Sequence, residues 1–437
     1  MAWYDTAVFY HIYPLGLCGC AHENDGQPTP GAFAKLNAWA EHAYTDLGCT
    51  AIYIGPLFES TTHGYDTKDY KQVDRRLGDN ADFAAYVKKA HELGIKVVVD
   101  GVFNHTGREF FAFRDIQEKR EQSPYCGWYK GIWFGGNTCY NDGFSYEAWR
   151  NCFELVNLNL QNQQVRDYLL DVIDFWIDEF DIDGIRFDVG NEVSHRFLKE
   201  LRRQLKSVKP DLYLLGEIWH DASQWLGGDE YDSVMNYPLT SGIQDFFLDQ
   251  AAEKDEFEYM VNRCYTMYMQ QNNNVIFNLL DSHDTERLMN RCQDLDIFYQ
   301  QLAILFTMPG SPCIYYGTEI ALEGAHDPDC RRCMPWDEID SAENQKKIEL
   351  MKSLIRMRIQ EDACRSLYFD FPHKYSQKRC VEYRKLNLDG KWIEVLLNCG
   401  SEPIEIQGQG EILFARRCEG NSLDVRGTLI RRLPSTV

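Results

Sequence analysis

Short apolar runs of strand length alternate with longer stretches of helical periodicity along most of the chain. Within the runs, apolar residues alternate with polar ones or stand together, which is typical of half-buried or buried β-strands. Between the runs, apolar residues recur at spacings of three and four, which is typical of amphipathic helices. Eight runs have strand character: residues 7–13, 51–57, 96–103, 184–189, 213–218, 233–237, 275–280 and 313–316.

Helical stretches separate most of these runs, at residues 162–180, 193–207, 256–270 and 296–306 among others. The helix before the third run is the clearest, with Asn80 as its predicted N-cap and Gly94 as its predicted terminator. Strands that alternate with helices predict a parallel sheet, and eight such units predict a closed barrel. The predicted fold class is therefore α/β, a (β/α)8 or TIM barrel.

The alternation breaks in two places, which predicts two additional parts. Residues 105–160 interrupt the barrel after its third strand, and we interpret them as a small subdomain that forms one wall of a cleft. Its Trp and Tyr residues are Tyr125, Trp128, Tyr129, Trp133, Tyr140, Tyr146 and Trp149. About half of these seven are expected to form the core of the subdomain. After residue 366 only short β-runs follow, so 367–437 predict an antiparallel β-domain. The barrel then comprises 1–104 and 161–366.

Charge and composition narrow the class of partner. The chain has 437 residues, with 45 basic and 67 acidic side chains and a net charge of -22. Such an excess of acid argues against nucleic acid or an anionic membrane as the main partner. With 14% aromatic residues the chain has Trp and Tyr side chains to spare for a ligand. A neutral substrate such as a sugar fits this composition.

Cellular location is predicted from the N-terminus and the cysteines. The first ten residues lack the basic start and uninterrupted apolar run of a signal peptide. No stretch approaches the roughly 18 apolar residues that would span a bilayer. The 15 cysteines form no even framework. We therefore expect a cytoplasmic protein with no membrane partner and no zinc site; the sequence does not indicate an oligomeric state.

The fourth strand candidate carries the first sign of chemistry. Residues 183–192 read Asp-Gly-Ile-Arg-Phe-Asp-Val-Gly-Asn-Glu, so Ile185 and Phe187 face one side of a strand while Arg186 and Asp188 face the other. Burying an acid and a guanidinium is costly unless they pair. Pairing would lower the pKa of Asp188 and keep it ionised, as a glycosidase nucleophile requires. A purely structural ion pair at a strand end is the alternative.

Other strand ends also carry acids and histidines. The third candidate ends in Asp100-Gly-Val-Phe-Asn104-His105, the fifth in Glu217-Ile-Trp219-His220, and the seventh in Asp281-Ser-His283-Asp284. Each cluster alone has a structural explanation. Together they lie where a barrel enzyme places its catalytic groups.

These four segments resemble the four characteristic sequence regions of the α-amylase family of glycoside hydrolases, and the resemblance covers essentially the whole chain. It implies that Asp188 is the nucleophile, Glu217 the general acid/base and Asp284 the carboxylate that orients the sugar. It also implies that His105 and His283 bind sugar hydroxyls and that Tyr65 stacks beneath the sugar. Ordinary core or loop packing remains the alternative for His105, His283 and Tyr65.

Finer features are similar to the cyclomaltodextrinase, maltogenic amylase and neopullulanase group. They are Asn191-Glu192, Gly216-Glu217-Ile-Trp219-His220 and Met235-Asn-Tyr-Pro238. The resemblance places Asn191 and Glu192 on the aglycone side and adds Asp100, Arg186 and Trp219 to the substrate-binding residues. The group usually carries an N-terminal β-domain, which is not expected here because the first barrel strand begins close to Met1. Asn104 matches a position that binds calcium in many members, but no acidic cage accompanies it, so a calcium ligand and a structural amide remain alternatives for Asn104.

The resemblance implies retaining hydrolysis of α-1,4-glucosidic bonds in maltooligosaccharides, cyclodextrins or pullulan-type glucans. Cleavage of α-1,6 bonds and transglycosylation are further expectations, and no cofactor is required. An exo-acting α-glucosidase or a glucan transglycosidase of the same fold is the nearest rival. A rival of another class is a non-catalytic carbohydrate-binding or transporter-associated relative, but such relatives lose the carboxylates that this chain keeps.

Overall fold

The computed structural model describes residues 2–434. Eight of its strands overlap the eight runs predicted above, and the others lie in the insertion, the loop after the second barrel strand and the C-terminal sheet. In chain order the strands are β1 (Phe9–Ile12), β2 (Ala51–Ile54), β3 (Phe58–Ser60), β4 (Thr67–Val73), β5 (Lys96–Gly101), β6 (His105–Gly107), β7 (Leu155–Asn157), β8 (Gly184–Phe187), β9 (Tyr213–Gly216), β10 (Ser233–Val234), β11 (Phe277–Asn278), β12 (Ser311–Tyr315), β13 (Phe369–Asp370), β14 (Cys380–Leu386), β15 (Trp392–Asn398), β16 (Ile404–Glu405), β17 (Glu411–Glu419) and β18 (Ser422–Arg432).

The eight predicted strands form one parallel sheet in the order β10-β9-β8-β5-β2-β1-β12-β11. A further parallel bridge between Met235, which follows β10, and Phe277 of β11 joins the two edge strands. The sheet therefore closes on itself, and closure leaves no free edge. This confirms the predicted (β/α)8 barrel.

Helices surround the barrel. In chain order they are α1 (Pro14–Cys18), α2 (Ala32–Glu41), α3 (Asn80–Leu93), α4 (Phe111–Lys119), α5 (Gln163–Phe180), α6 (His195–Val208), α7 (Tyr237–Leu248), α8 (Lys254–Thr266), α9 (Gln270–Asn273), α10 (Leu288–Cys292), α11 (Leu295–Thr307) and α12 (Ala342–Gln360). A π-helical turn, His42–Leu47, continues α2. Across residues 2–434, none of the helices is both long and apolar enough to cross a membrane.

Helix α3 begins differently from the prediction. Asp79, and not Asn80, is the N-cap, because its side chain accepts from the Asp82 backbone N–H while the Asp82 side chain accepts from the Asp79 N–H. This reciprocal arrangement is a capping box. The Asn80 side chain accepts instead from the backbone N–H of Val73 at 2.9 Å, which joins the helix to β4.

Alternate residues of the barrel strands face opposite layers. The ring of Phe9 lies 5.8 Å from that of Tyr213 and 4.9 Å from that of Phe277, on strands that do not neighbour β1, so Phe9 points into the barrel. Tyr10 and Ile12 pack on the other side, with the helices. The same alternation sends Ile185 and Phe187 of β8 to the helices, as predicted. The intervening Arg186 therefore points inward.

The segment between β5 and α5 contains an antiparallel pair, β6 and β7, together with α4. Of its seven Trp and Tyr residues, Trp128, Tyr129 and Tyr146 are buried and pack in its core. Trp133 and Tyr140 are exposed, and the other two are half-buried. Because this segment leaves the carboxyl end of β5, it stands beside the carboxyl ends of the barrel strands.

The C-terminal sheet is antiparallel, as predicted, and contains β13 to β18. The short β-runs predicted from the sequence, at residues 379–384, 391–397, 404–407 and 411–415, overlap β14, β15, β16 and β17. Strand β18 was not predicted, although it pairs with β15, β16 and β17. Its sequence, Ser-Leu-Asp-Val-Arg-Gly-Thr-Leu-Ile-Arg-Arg, hides the alternation because charged residues and a glycine interrupt it. The residue boundaries assigned to the parts of the chain stay a prediction.

A buried lysine joins this sheet to the barrel, and a buried arginine of the barrel shares one of its acceptors. Lys385 of β14 donates to the carbonyl oxygens of Thr307 at 2.8 Å and Cys364 at 3.0 Å. Arg358 of α12 donates to the carbonyl oxygens of Cys364 at 2.6 Å and Met308 at 2.5 Å. Burial lowers the pKa of Lys385 well below its usual range.

Candidate active site

Four carboxylates meet at the carboxyl ends of the barrel strands. Asp100 lies in β5, Asp188 follows β8, Glu217 follows β9, and Asp284 lies in the loop after β11. Their convergence follows from the barrel, because parallel strands bring all their carboxyl ends to one face. The sequence prediction that these strand ends meet is confirmed.

Arg186 of β8 is fully buried at the centre of this group. Its Nη1 donates to Asp100 Oδ1 and to Asp188 Oδ1, both at 2.9 Å. Its Nη2 lies 3.0 Å from Glu217 Oε2 and 3.6 Å from Asp284 Oδ2. One guanidinium therefore holds the carboxylates of Asp188 and Glu217 at its two terminal nitrogens, which keeps the two groups close together.

Asp100 lies beneath Arg186 and does not line a cleft. It is buried and accepts hydrogen bonds from the hydroxyls of Tyr53 at 2.8 Å and Tyr65 at 2.9 Å. Gly55 makes room for it, since a Cβ at Gly55 would lie 2.3 Å from the Cβ of Asp100. The sequence analysis placed Asp100 and Arg186 among the substrate contacts. Their burial instead makes them positioning residues for the carboxylates above them.

Asp284 stays ionised. Burial raises its pKa, but His283, Arg331 and Arg186 outweigh burial and hold the pKa well below its usual range. Asp284 Oδ2 lies 3.0 Å from His283 Nε2, and Oδ1 accepts from Arg331 Nη2 at 3.1 Å. Asp284 therefore presents a fixed negative charge to the site.

Asp188 and Glu217 behave differently. Burial raises the pKa of both groups; Arg186 opposes this shift, while neighbouring carboxylates add to it. The sequence analysis expected Arg186 to lower the pKa of Asp188. Arg186 does so, but burial and the neighbouring carboxylates outweigh it, so the expected net lowering is wrong. One guanidinium shared among four carboxylates does not compensate for the loss of water around each of them. The two carboxyls therefore titrate as a pair that retains a proton to higher pH than free carboxyls do.

Glu217 is held by two donors besides Arg186. Its Oε2 accepts from the backbone N–H of Val189 at 2.8 Å, and its Oε1 accepts from Trp219 Nε1 at 3.0 Å. Val189 has a φ of 46°, which is strained for a β-branched residue. This conformation turns its N–H toward Glu217. Trp219 is 47% exposed and stacks on Tyr237 with ring centroids 3.7 Å apart.

The two predicted histidines have different environments. His105 is buried, its Nε2 lies 3.9 Å from Asp188 Oδ2, and neither ring nitrogen has a hydrogen-bond partner in the protein. Burial lowers the pKa of His105 to about 3, so its imidazole is neutral. His283 is instead fully engaged: Nδ1 contacts His11 Nε2 at 3.1 Å, and Nε2 contacts both Asp284 and the Tyr65 hydroxyl.

Tyr65, Asn191 and Glu192 complete the predicted set. Tyr65 is buried, and its ring stacks against that of His283 with centroids 5.5 Å apart. Asn191 is half-buried and Glu192 exposed in the turn that follows Asp188. The Glu192 backbone N–H bonds to the Val189 carbonyl at 2.9 Å, which closes this turn. Tyr65 thus belongs to the catalytic group, whereas Asn191 and Glu192 lie at its edge.

Sequence reasoning missed Arg331 and Trp149. Besides Asp284, Arg331 donates to the His283 carbonyl oxygen at 2.9 Å. Its surroundings, Cys330-Arg-Arg-Cys333, are a cysteine pair of the kind found in zinc sites, and nothing in them predicts a contact with a catalytic carboxylate. The half-buried ring of Trp149 lies 6.3 Å from that of His105, and its Nε1 is buried without a partner. Trp149 was one of seven aromatics, and no sequence signal distinguished it from the others.

Asn104 stays a candidate calcium ligand, as the sequence analysis left it. Its amide oxygen and nitrogen are buried and have no partner in the protein. A calcium site usually adds several carboxylate oxygens. Between residues 2 and 434, however, no three or more His, Cys, Asp or Glu side chains are grouped so that they could hold a metal ion. No catalytic step below is therefore assigned to a metal.

Comparison with known proteins places this geometry in a family. The family description "Alpha amylase, catalytic domain" matches residues 43–369. A cyclomaltodextrinase from Bacillus sp is 40% identical over 418 residues, which cover 91% of this chain and 73% of that protein. An intracellular maltogenic amylase from Bacillus subtilis is 43% identical over 319 residues, which cover 72% of this chain and 53% of that protein.

A solved structure extends the likeness to the whole described fold. The ligand-free cyclic α-maltosyl-(1→6)-maltose hydrolase from Arthrobacter globiformis superimposes with a TM-score of 0.86 at 27% sequence identity. The superposition covers 99% of this chain and all of that one. Together with the barrel and its carboxylates, these matches show that the chain belongs to the α-amylase family of glycoside hydrolases.

Proposed function

We propose that the chain is a retaining α-glucan hydrolase. It cleaves α-1,4-glucosidic bonds in maltooligosaccharides, cyclodextrins or pullulan-type glucans, and α-1,6 cleavage and transglycosylation accompany this activity. The observation that carries the proposal is the position of Asp188, Glu217 and Asp284 around the single guanidinium of Arg186. The names of the relatives from Bacillus and Arthrobacter support the substrate class.

In this proposal the reaction uses the two paired carboxyls in succession. Asp188, ionised, attacks the anomeric carbon while Glu217 donates its proton to the leaving glycosidic oxygen. Glu217 then removes a proton from water, which displaces Asp188 and releases the sugar with its original configuration. A sugar hydroxyl in place of water gives transglycosylation. Asp284 stabilises the positive charge that develops on the sugar ring.

His105 and Trp149, which lie on the Asp188 side, suit an uncharged substrate. His105 has free ring nitrogens beside Asp188, and the ring of Trp149, whose buried Nε1 also has no partner, lies 6.3 Å from that of His105. Both groups are ready to bond sugar hydroxyls without introducing a charge. Tyr65 and His283 form a fixed wall on the Asp284 side. No organic cofactor is needed, because the carboxyls perform both proton transfer and nucleophilic attack.

The pH dependence follows from the shared proton. Activity requires one proton on the pair, so it falls at low pH when both carboxyls are protonated and at high pH when both are ionised. The Trp219 hydrogen bond favours the ionised form of Glu217. Trp219→Phe keeps an aromatic ring but removes this bond, so we expect the basic limb of kcat/KM to move to higher pH. Trp219→His, in contrast, can retain a donor and serves as the control. An unmoved basic limb in Trp219→Phe would contradict this role.

The first test of the proposal is a product profile. Wild-type protein and Glu217→Gln are incubated with maltotriose, maltoheptaose, β-cyclodextrin and pullulan, and the products are separated by chromatography. We expect maltose or panose from the wild type and no product from Glu217→Gln. Glucose as the sole product would favour the exo-acting α-glucosidase, and long transfer products the transglycosidase. The absence of any cleavage would favour the non-catalytic carbohydrate-binding alternative.

Location and partners are also part of the proposal. We infer a cytoplasmic enzyme whose partner is an α-glucan oligosaccharide and not a nucleic acid or a membrane. The support comes from the relative named an intracellular maltogenic amylase and from 15 cysteines that are all free. The charge of -22 is consistent with a neutral ligand.

A further inference from the structure

A long groove on the side of the barrel has no role in the mechanism above. It lies between α7 and α8, has a volume of about 820 Å³ and reaches Trp219 at its upper end. Pockets that bind small molecules typically have volumes of about 300 to 1,000 Å³. The groove is therefore large enough to hold an extended ligand.

Both helices present one face to the groove. Residues of α7 that line it recur at spacings of three and four from Pro238 to Asp249, and residues of α8 do so from Glu256 to Thr266. The two helices touch at Gly242, where an added Cβ would lie 2.3 Å from Met260 Cγ. This contact forms the floor, and the side chains above it form the walls.

The chemistry of the walls favours an uncharged ligand with many hydroxyls. Tyr259, which is 70% exposed, offers an aromatic face on α8. Asp245, Asp249 and Glu256 offer carboxylate acceptors. Among the described residues that line the groove, only Arg263 carries a permanent positive charge. An excess of carboxylates repels phosphorylated or other anionic ligands. Aromatic faces combined with carboxylates are suited to the apolar faces and the hydroxyls of a sugar chain.

One residue connects the groove with the catalytic group. Trp219 lines its upper end and also donates to Glu217. Because Glu217 protonates the leaving oxygen, the sugars beyond Trp219 are those on the leaving side of the cleaved bond. Trp219 is fixed by its stacking on Tyr237, so it forms a rigid connection between the two regions.

We propose that the α7–α8 groove binds the leaving-side end of a long linear α-glucan. The enzyme would then distinguish long chains from short ones by contacts outside the cleft. This inference rests on the proposed function, since it needs Glu217 as the acid. It assigns a chain-length preference to residues that take no part in bond cleavage.

Tyr259→Ala tests the groove by binding alone. In the Glu217→Gln background, calorimetry measures the Kd of maltotriose and of a linear amylose fragment longer than maltoheptaose. Loss of one aromatic contact is expected to raise the Kd of the long fragment about fivefold. The Kd of maltotriose should rise clearly less, because this short ligand does not extend down the side of the barrel. Since the ligand is neutral, added salt should not change the effect.

Tyr368→Ala is the matched control, because this tyrosine is 60% exposed and does not line the groove. The inference would be overturned if Tyr259→Ala raised the Kd of both ligands equally or left the Kd of the long fragment unchanged. It would also be overturned if Tyr368→Ala had the same effect, or if added salt reduced the effect of Tyr259→Ala. The wild-type product profile separates failure of the groove inference from failure of the proposed function. If the wild type cleaves maltotriose but Tyr259→Ala binds the long fragment normally, only the groove inference fails.

Discussion

Asp188→Asn is expected to lower kcat/KM on maltoheptaose by about ten-thousandfold or more, the loss found when an enzyme loses its nucleophile. The amide has nearly the shape of the carboxylate but cannot form the glycosyl ester. The fold should survive, because the change removes one of four carboxylates that compete for Arg186. The thermal unfolding temperature is therefore expected to equal or exceed that of the wild type.

Initial-rate kinetics and circular dichroism check this expectation. Glu349→Gln on the outer helix α12 changes an exposed carboxyl to an amide in the same way and serves as the control. NMR of the first product of the wild type completes the test, since a covalent intermediate on Asp188 requires that the α-configuration be retained. An active Asp188→Asn, or a β-product at early times, would exclude Asp188 as the nucleophile.

Arg186→Met is expected to have the largest effect on stability, a loss of about 3 to 5 kcal/mol in the free energy of unfolding at neutral pH. The substitution leaves Asp100 and the three carboxylates above it without their shared cation. Activity should also fall, because Asp188 and Glu217 lose the group that holds them together. Chemical denaturation, followed by fluorescence, measures the loss.

The loss should depend on pH in a defined direction. Burial already raises the pKa of Asp188 and Glu217, and without Arg186 the pKa values rise further. A carboxyl whose pKa is higher in the folded state stabilises the fold at low pH and loses this contribution as pH rises through the folded-state value. The deficit of Arg186→Met should therefore be smallest at acidic pH and grow toward neutrality.

A second substitution provides the control. Asp100→Asn, added to Arg186→Met, removes one uncompensated charge while Tyr53 and Tyr65 keep an oxygen to bond. We expect it to recover part of the lost stability. If the single variant is as stable as the wild type, or if its deficit shrinks as pH rises, Arg186 does not compensate the carboxylates.

Much of the fold and of the catalytic group could be predicted from local patterns. Alternation in β8 sets Ile185 and Arg186 on opposite sides of the strand, and the packed barrel then turns Ile185 toward the helices and Arg186 toward the interior. Barrel closure then brings Asp188, Glu217 and Asp284 together, because all parallel strands end on one face. Strand β18 was not predicted, because charged residues and a glycine interrupt the alternation of apolar and polar residues along it.

What could not be predicted depends on contacts between distant parts of the chain. The pKa of Asp188 follows from three further carboxylates and from burial, whereas the sequence displays only the neighbouring Arg186. Arg331 reaches Asp284 across 47 residues, and Trp149 reaches His105 across the insertion. The α7–α8 groove likewise appears only when two helices pack, since each helix alone looks like an ordinary amphipathic segment.

The buried Lys385 between the barrel and the C-terminal sheet bears on how the molecule can be divided. It lies in the sheet, out of contact with water, and donates to the carbonyl oxygens of Thr307 and Cys364, which precede residue 366. Cutting the chain near residue 366 would remove this donor from both buried carbonyl oxygens, at a cost in stability. The boundary near residue 366 marks where the chain passes from the barrel to the sheet, and not a boundary between two independent parts. We therefore expect the barrel and the sheet to unfold together, and a minimal enzyme to require both.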